Sequence, residues 1–277
     1  MGKRGQGRFM VAATKVSAAF SVAVLVLTIG YILVRGAPVL TPSFLLGSPE
    51  KMGREGGIFP SIVGTVVLTA FSVVIAMPLG VGTAVFLSEY TREGPLSKVV
   101  RFGTESLAGI PSIIFGLFGF LFFVVELGMG WSILSGSLTL AAMMLPTIVR
   151  TSEEALRAVP HAYRETSYAL GASRWQTVTS LILPNALPGI ATGIVLALGR
   201  AMGETAAVIF TAGSSLRLPK SLMDPVRTLP VHFYILAREG ISMRNAYGTA
   251  ATLLVAVLLV DFTAYFVVGR LGSRRDR

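Results

Sequence analysis

At 277 residues, with 53% hydrophobic and 14% charged side chains and a mean hydropathy of +0.71, the chain is too apolar for a water-soluble domain and must be solvated by lipid. Cysteine is absent, which excludes a disulfide framework or a thiolate metal site, and the two histidines, His161 and His232, are too few and too far apart for a metal cluster. The net charge of +10 fits either a nucleic-acid partner or a membrane-orientation signal, and its placement decides between them.

Six apolar runs are each long enough for the roughly 20 residues that a bilayer crossing needs. They predict one all-α domain over 1–277, with helices over about 12–35, 60–88, 105–126, 136–150, 185–212 and 246–269. Lys3, Arg4 and Arg8 precede the first run, which exceeds the roughly 7–15 residues of a signal-peptide core, so it reads as an anchored helix. Residues 35–57 mix Gly, Pro, Ser and charge and read as a loop. The second run holds Pro60 and Pro78, and the interior proline predicts a kink. After a short polar stretch at 91–102, Gly109 and Pro111 predict a bend in the third helix. The fourth holds Pro146 and is expected to stop at Arg150.

Residues 151–184 form the long polar interruption, EEALRAVPHAYRETSYALGASRWQTVTSLILP from Glu153 onward. Ser152 is placed to cap a helix entered by two acids, Pro160 to open a second, Gly171 to close it, and Ser173 with Gln176 to form a capping box. Two short helices broken by a glycine at a membrane surface make a docking element. In the fifth helix, Gly189 with Gly193 and Gly199 with Gly203 give two small-residue pairs for close packing, which also arise readily by chance. Residues 211–244 form a long segment whose apolar part, Leu229 to Ala237, is expected along the membrane surface.

With the N-terminus inside, basic residues favour the inner segments: Lys3, Arg4, Arg8, Arg92, Lys98, Arg101, Arg150, Arg157, Arg164, Arg174, Arg270, Arg274, Arg275 and Arg277. The outer segments hold Arg35, Lys51, Arg54, Arg217, Lys220, Arg227, Arg238 and Arg244. Both termini and the 151–184 loop are therefore expected in the cytoplasm, and the basic tails read as orientation signals with no nucleic-acid partner.

Arg200 and Glu204, in LALGRAMGETAAV, are two ionisable residues deep in the fifth run, one helical turn apart on one face. A charge at the bilayer centre costs about 2.5 kcal/mol or more. Two readings stay open: a structural ion pair inside the bundle, or the polar lining of a translocation path with Arg200 offering its guanidinium to an anion. Asp261 in the last helix is a weaker candidate. No G-x-x-x-x-G-K-[ST] loop, G-x-S-x-G elbow or H-E-x-x-H occurs, so the chain is not expected to be an enzyme or to hold a cofactor. The competing classes are an intramembrane enzyme using Glu204 or Asp261, and a membrane scaffold.

The loop resembles the docking motif of inner-membrane subunits of bacterial ABC importers: E-A-A, a glycine four residues on, then nine residues and I-x-L-P. Glu165, Gly171, Leu181, Leu183 and Pro184 take the matching positions, with Thr166 and Ser167 for the alanines and leucine for isoleucine. GGIFPSIVGT, PLGVGTAVFLSEY, LAGIPSIIFGLFG and ALGRAMGETA, within Gly56 to Ala206, resemble the phosphate-importer permeases PstA and PstC, and TLPVHFYILAREG is more similar to PstA. The resemblance implies a type I ABC importer permease with six transmembrane helices in a bacterial inner membrane. It also implies a homologous PstC-like permease, two copies of a PstB-like ATPase that binds the ATP, and an external PstS-like phosphate-binding protein. The helix opened by Pro160 would be the coupling helix, Glu165 would hold the loop or its ATPase contact, and Arg200 and Glu204 match G-R-A-x-G-E-T. A molybdate, sulfate or organic-solute permease is the nearest alternative.

Overall fold

The computed structural model describes residues 3–91 and 94–273; Arg92, Arg274, Arg275 and Arg277, counted above toward orientation, lie outside the described residues. Among the described residues the regular structure is helical apart from a hairpin with two residues per strand, β1 (Pro49–Glu50) with β2 (Glu55–Gly56). In chain order the helices are α1 (Lys3–Gly36), α2 (Pro42–Leu46), α3 (Phe59–Val85), α4 (Pro95–Ala108), α5 (Ser112–Gly119), α6 (Ile133–Arg157), α7 (His161–Ala169), α8 (Arg174–Thr177), α9 (Leu183–Met202), α10 (Ala206–Thr211), α11 (Leu229–Arg238) and α12 (Met243–Ser273). Three π-helical turns follow α3, α5 and α8, at Phe86–Tyr90, Phe120–Glu126 and Val178–Ile182. Among the described residues, five spans are long and apolar enough to cross a membrane, and a sixth results if the bent pair Pro95–Ala108 and Ser112–Glu126 counts as one.

That pair bends by 102°. Pro111 is the cause, because its ring pushes the residue before it out of the helical region and it has no N–H to continue the ladder. The third helix also begins earlier than residue 105, since Pro95 sits at its first turn, where the missing N–H costs nothing.

α6 is the central helix, packed on α3, α9, α4 and α10. Its core joins Leu68 and Ala76 of α3 to Leu140, Met144 and Ile148 of α6 and Ala197 and Ala201 of α9, all buried. The first small-residue pair makes α6 and α9 approach closely. A Cβ at Gly189 would stand 2.6 Å from the Ala155 Cβ, and one at Gly193 would collide with the Thr151 hydroxyl. The second pair differs: at Gly199 the nearest atom is the Asp261 Oδ1 at 3.5 Å, and Gly203 meets only backbone of its own turn.

Two expectations are corrected. α6 runs past Arg150 to Arg157, so Ser152 lies buried inside a helix and caps nothing. The continuation is supported by ion pairs at helical spacing, Arg150 with Glu154 at 3.2 Å and Glu153 with Arg157 at 2.9 Å. α11 is not a free surface helix, because Leu229, Val231, His232 and Leu236 are buried and it packs on α12 and α3.

Candidate docking loop and translocation site

After Arg157 the helix breaks at Ala158 and Val159. α7 starts immediately after Pro160, whose φ of −54° and ψ of 137° form the corner. It ends in a Schellman motif: the Gly171 N–H donates to the Tyr168 carbonyl at 3.0 Å and the Ala172 N–H to the Ser167 carbonyl at 3.1 Å. Gly171 has φ +81°, and nothing lies within 4 Å of where a Cβ would stand, so its requirement is conformational and not steric. α8 opens with the capping box, as Ser173 Oγ accepts from the Gln176 N–H at 3.3 Å and Gln176 Oε1 from the Ser173 N–H at 2.8 Å.

Within this frame Glu165 and Thr166 are exposed, while Ser167 Oγ and Thr177 Oγ1 share a hydrogen bond of 2.8 Å that ties α7 to α8. Leu181 falls in the π-helical turn, where its carbonyl accepts from Asn185 Nδ2 at 2.6 Å. Leu183 and Pro184 begin α9, and Leu183 packs on a cluster of Ala84, Leu156, Val159, Ile182, Ala186 and Ile190.

Tyr163, Tyr168, Leu170 and Trp175 are exposed on the same short helices, Leu170 by 83% and Trp175 by 66%. Sequence reading overlooked them. The available signal was four large apolar residues inside an otherwise polar interruption.

It also overlooked Arg164, which turns inward. Its Nη2 and Nε reach Glu89 Oε1 and Oε2 at 2.6 and 3.2 Å, its Nη1 donates to the Val159 carbonyl at 2.8 Å, and Nη2 also donates to the Leu156 carbonyl at 3.0 Å. On the flank, Glu153 forms ion pairs with Arg157 and, at 2.8 Å, with Arg101 of α4.

Arg200 and Glu204 are not the ion pair that their spacing allowed. α9 ends at Met202 and the chain breaks at Gly203, so Glu204 lies beyond the helix that carries Arg200. Its Oε1 accepts the N–H groups of Thr205 and Ala207 at 3.2 and 3.3 Å and caps the start of α10. Arg200 is exposed in the last turn of α9, where a cation suits the helix dipole. The ion pairs among the described residues are Lys51–Glu55, Arg101–Glu153, Arg150–Glu154, Arg157–Glu153 and Arg164–Glu89, so Arg200, Glu204 and Asp261 belong to none. No group of three or more metal-ligating side chains occurs among the described residues.

Residues 76–277 match the model of the family described as "Binding-protein-dependent transport system inner membrane component". The chain belongs to that family. A probable ABC transporter permease protein, YqgI, of Bacillus subtilis is 36% identical to this inner-membrane component over 263 residues, covering 89% of the chain and 90% of the relative. The phosphate transport system permease protein PstA 1 of Mycobacterium tuberculosis is 37% identical over 232 residues, covering 83% and 74%. The PstA protein of Haemophilus influenzae is 33% identical over 240 residues, covering 85% and 84%. Among solved structures, a chain of a bacterial alginate ABC transporter superposes with a TM-score of 0.69 at 16% identity, covering 96% of each chain. A chain of the inward-facing MetNI methionine transporter superposes at 0.64 with 24% identity, covering 75% and 93%. At those identities the likeness shows the fold: that of an ABC importer permease.

Proposed function

We propose that this inner-membrane component is a PstA-type permease, forming half of a path for inorganic phosphate and coupled through residues 151–184 to a separate ATPase. The observation that carries the reading is the match to proteins named as phosphate transport permeases over more than four fifths of the chain. The geometry supports it at two places. The docking loop presents Tyr163, Tyr168, Leu170 and Trp175 outward on a clamped frame, the kind of exposed aromatic and apolar cluster that anchors a protein interface. Arg200 offers a guanidinium without a carboxylate partner among the described residues, at the end of a span beside a helix break. A planar fork of five donors recognises an oxyanion bidentately.

A PstC-like permease completes the path, two PstB-like subunits bind the ATP, and an external PstS-like protein delivers phosphate; this chain needs no cofactor of its own. The excess of basic residues puts the loop and both termini on the cytoplasmic side of a bacterial inner membrane. Closure of the ATPase dimer pushes on α7 and α8, and the bundle rocks to expose Arg200 to each side in turn.

The test is uptake by proteoliposomes holding all four components. Arg200→Ala lowers phosphate uptake about tenfold, the loss of one charge-assisted contact, with the complex still assembled. Full uptake by that variant removes Arg200 from the path. Transport of a different solute by the wild type, with phosphate ignored, overturns the substrate class.

A further inference from the structure

We infer that the Arg164–Glu89 pair is the strut through which movement of the docking loop enters the transmembrane bundle. The inference rests on the docking reading above and adds to it the residues that transmit the stroke. Arg164 and Glu165 are consecutive on α7, so their side chains diverge by about 100° around the helix. Glu165 is exposed, while the Arg164 side chain is 13% exposed and the Glu89 side chain 5%. One guanidinium therefore binds three elements. It meets the carboxylate at the end of the π-helical turn that extends α3, the Leu156 carbonyl in the last turn of α6, and the Val159 carbonyl in the break before α7.

The chemistry of the pair argues for a mechanical role over simple adhesion. Leu156 and Val159 already belong to the buried apolar cluster with Ala84, Ile182, Ala186 and Ile190, which holds α3, α6 and α9 together at this end. A desolvated ion pair adds little net stability compared with apolar side chains of the same volume. What a bidentate fork does add is direction, because its two parallel hydrogen bonds hold only in one orientation. α7 can then neither rotate nor slide on α3 and α6 without breaking three hydrogen bonds, two to Glu89 and one to the Leu156 carbonyl. The Ser167–Thr177 hydrogen bond, by contrast, ties α7 to α8, which leads to α9.

Arg164 and Glu89 are thus positioning residues for transport, acting through α3 and α6 and not on the transported anion. The test uses the complete four-component complex with Glu89→Gln, which keeps size and lies off the exposed docking face, with Arg164→Lys, which keeps charge but loses the fork, and with the double variant. The readouts are ATPase retained on purification, ATP hydrolysis, and phosphate taken up per ATP hydrolysed. With the ATPase retained, each single variant is expected to lower phosphate per ATP about tenfold, and the double variant no further than the worse single, because both break one unit. Unchanged phosphate per ATP in either single variant, or effects that multiply in the double, overturns the strut. Loss of the ATPase from Glu89→Gln overturns it too, since the pair would then support the contact and not its transmission. A wild-type complex that retains no ATPase fails the docking reading itself, which the other outcomes leave standing.

Discussion

The two ends of the bundle handle buried charge in opposite ways. At the docking end, Arg164 and Glu89 neutralise each other, and Glu153 sits between Arg101 and Arg157. At the other end, where α11 meets the start of α3, Arg227 is 6% exposed and its Nε donates to the Ser214 carbonyl, but no carboxylate pairs with it among the described residues. His232 is fully buried with neither ring nitrogen bonded, and Ser61 and Thr228 also bury unpartnered hydroxyls. Burial holds the Arg227 guanidinium below its ordinary pKa. Burial first, and then the charge of Arg227, push His232 down to about 4. The difference teaches where each end is vulnerable: the docking end to loss of one partner, the other end to an added proton.

The largest expected effect breaks the first of these. Arg164→Ala leaves the buried Glu89 carboxylate without its cation and with only the Ser88 hydroxyl donating to it, a change of the kind that costs about 3–5 kcal/mol. Thermal unfolding of the solubilised chain, with proteolysis between α6 and α8, will show the docking end opening first. An unchanged melting profile would mean that water solvates the Glu89 carboxylate as well as the guanidinium does.

A proton should break the other end. Unfolded histidine titrates near 6.5 and the folded ring near 4, so between those values the unfolded state binds more protons. The stability from keeping His232 neutral is complete above about pH 6.5 and declines as pH falls toward 4, by about 3 kcal/mol in all. His232→Gln removes the titration. Equal pH slopes for wild type and variant between pH 7 and 5 would count against the assignment.

The smallest effect on the fold sharpens the comparison at the docking surface. Gly171→Asp places a side chain at φ +81° in open space, so it strains the left-handed turn by about 1–2 kcal/mol without a clash. Membrane insertion stays normal while transport and ATPase co-purification drop. ATPase retained at wild-type level would argue that the turn has no part in docking.

Much of the docking loop was legible because its determinants are local. Pro160, Gly171 and the Ser173–Gln176 box act within a few residues of themselves; α7 starts after the first and stops at the second, and α8 starts on the third. Ser152 was misread for the same reason: as a possible cap it looks local, but ion pairs and burial against the bundle carry α6 through it. The Arg200–Glu204 pairing assumed a continuous helix. Gly203 followed by an acid and a threonine was a readable stop and restart, and the carboxylate spends its acceptor on the backbone of α10.

By itself the sequence determined the membrane class, the apolar spans, the punctuation of the docking loop and the family motifs, because hydrophobic length and capping chemistry are properties of short stretches. Tertiary structure alone decided which charges meet. Arg164 and Glu89 are 75 residues apart, and no spacing rule brings them together. Nor could spacing tell that Gly189 and Gly193 face α6 while Gly199 faces Asp261. Those choices follow from how helices pack, where a close approach is set by the partner surface as much as by the residue that permits it.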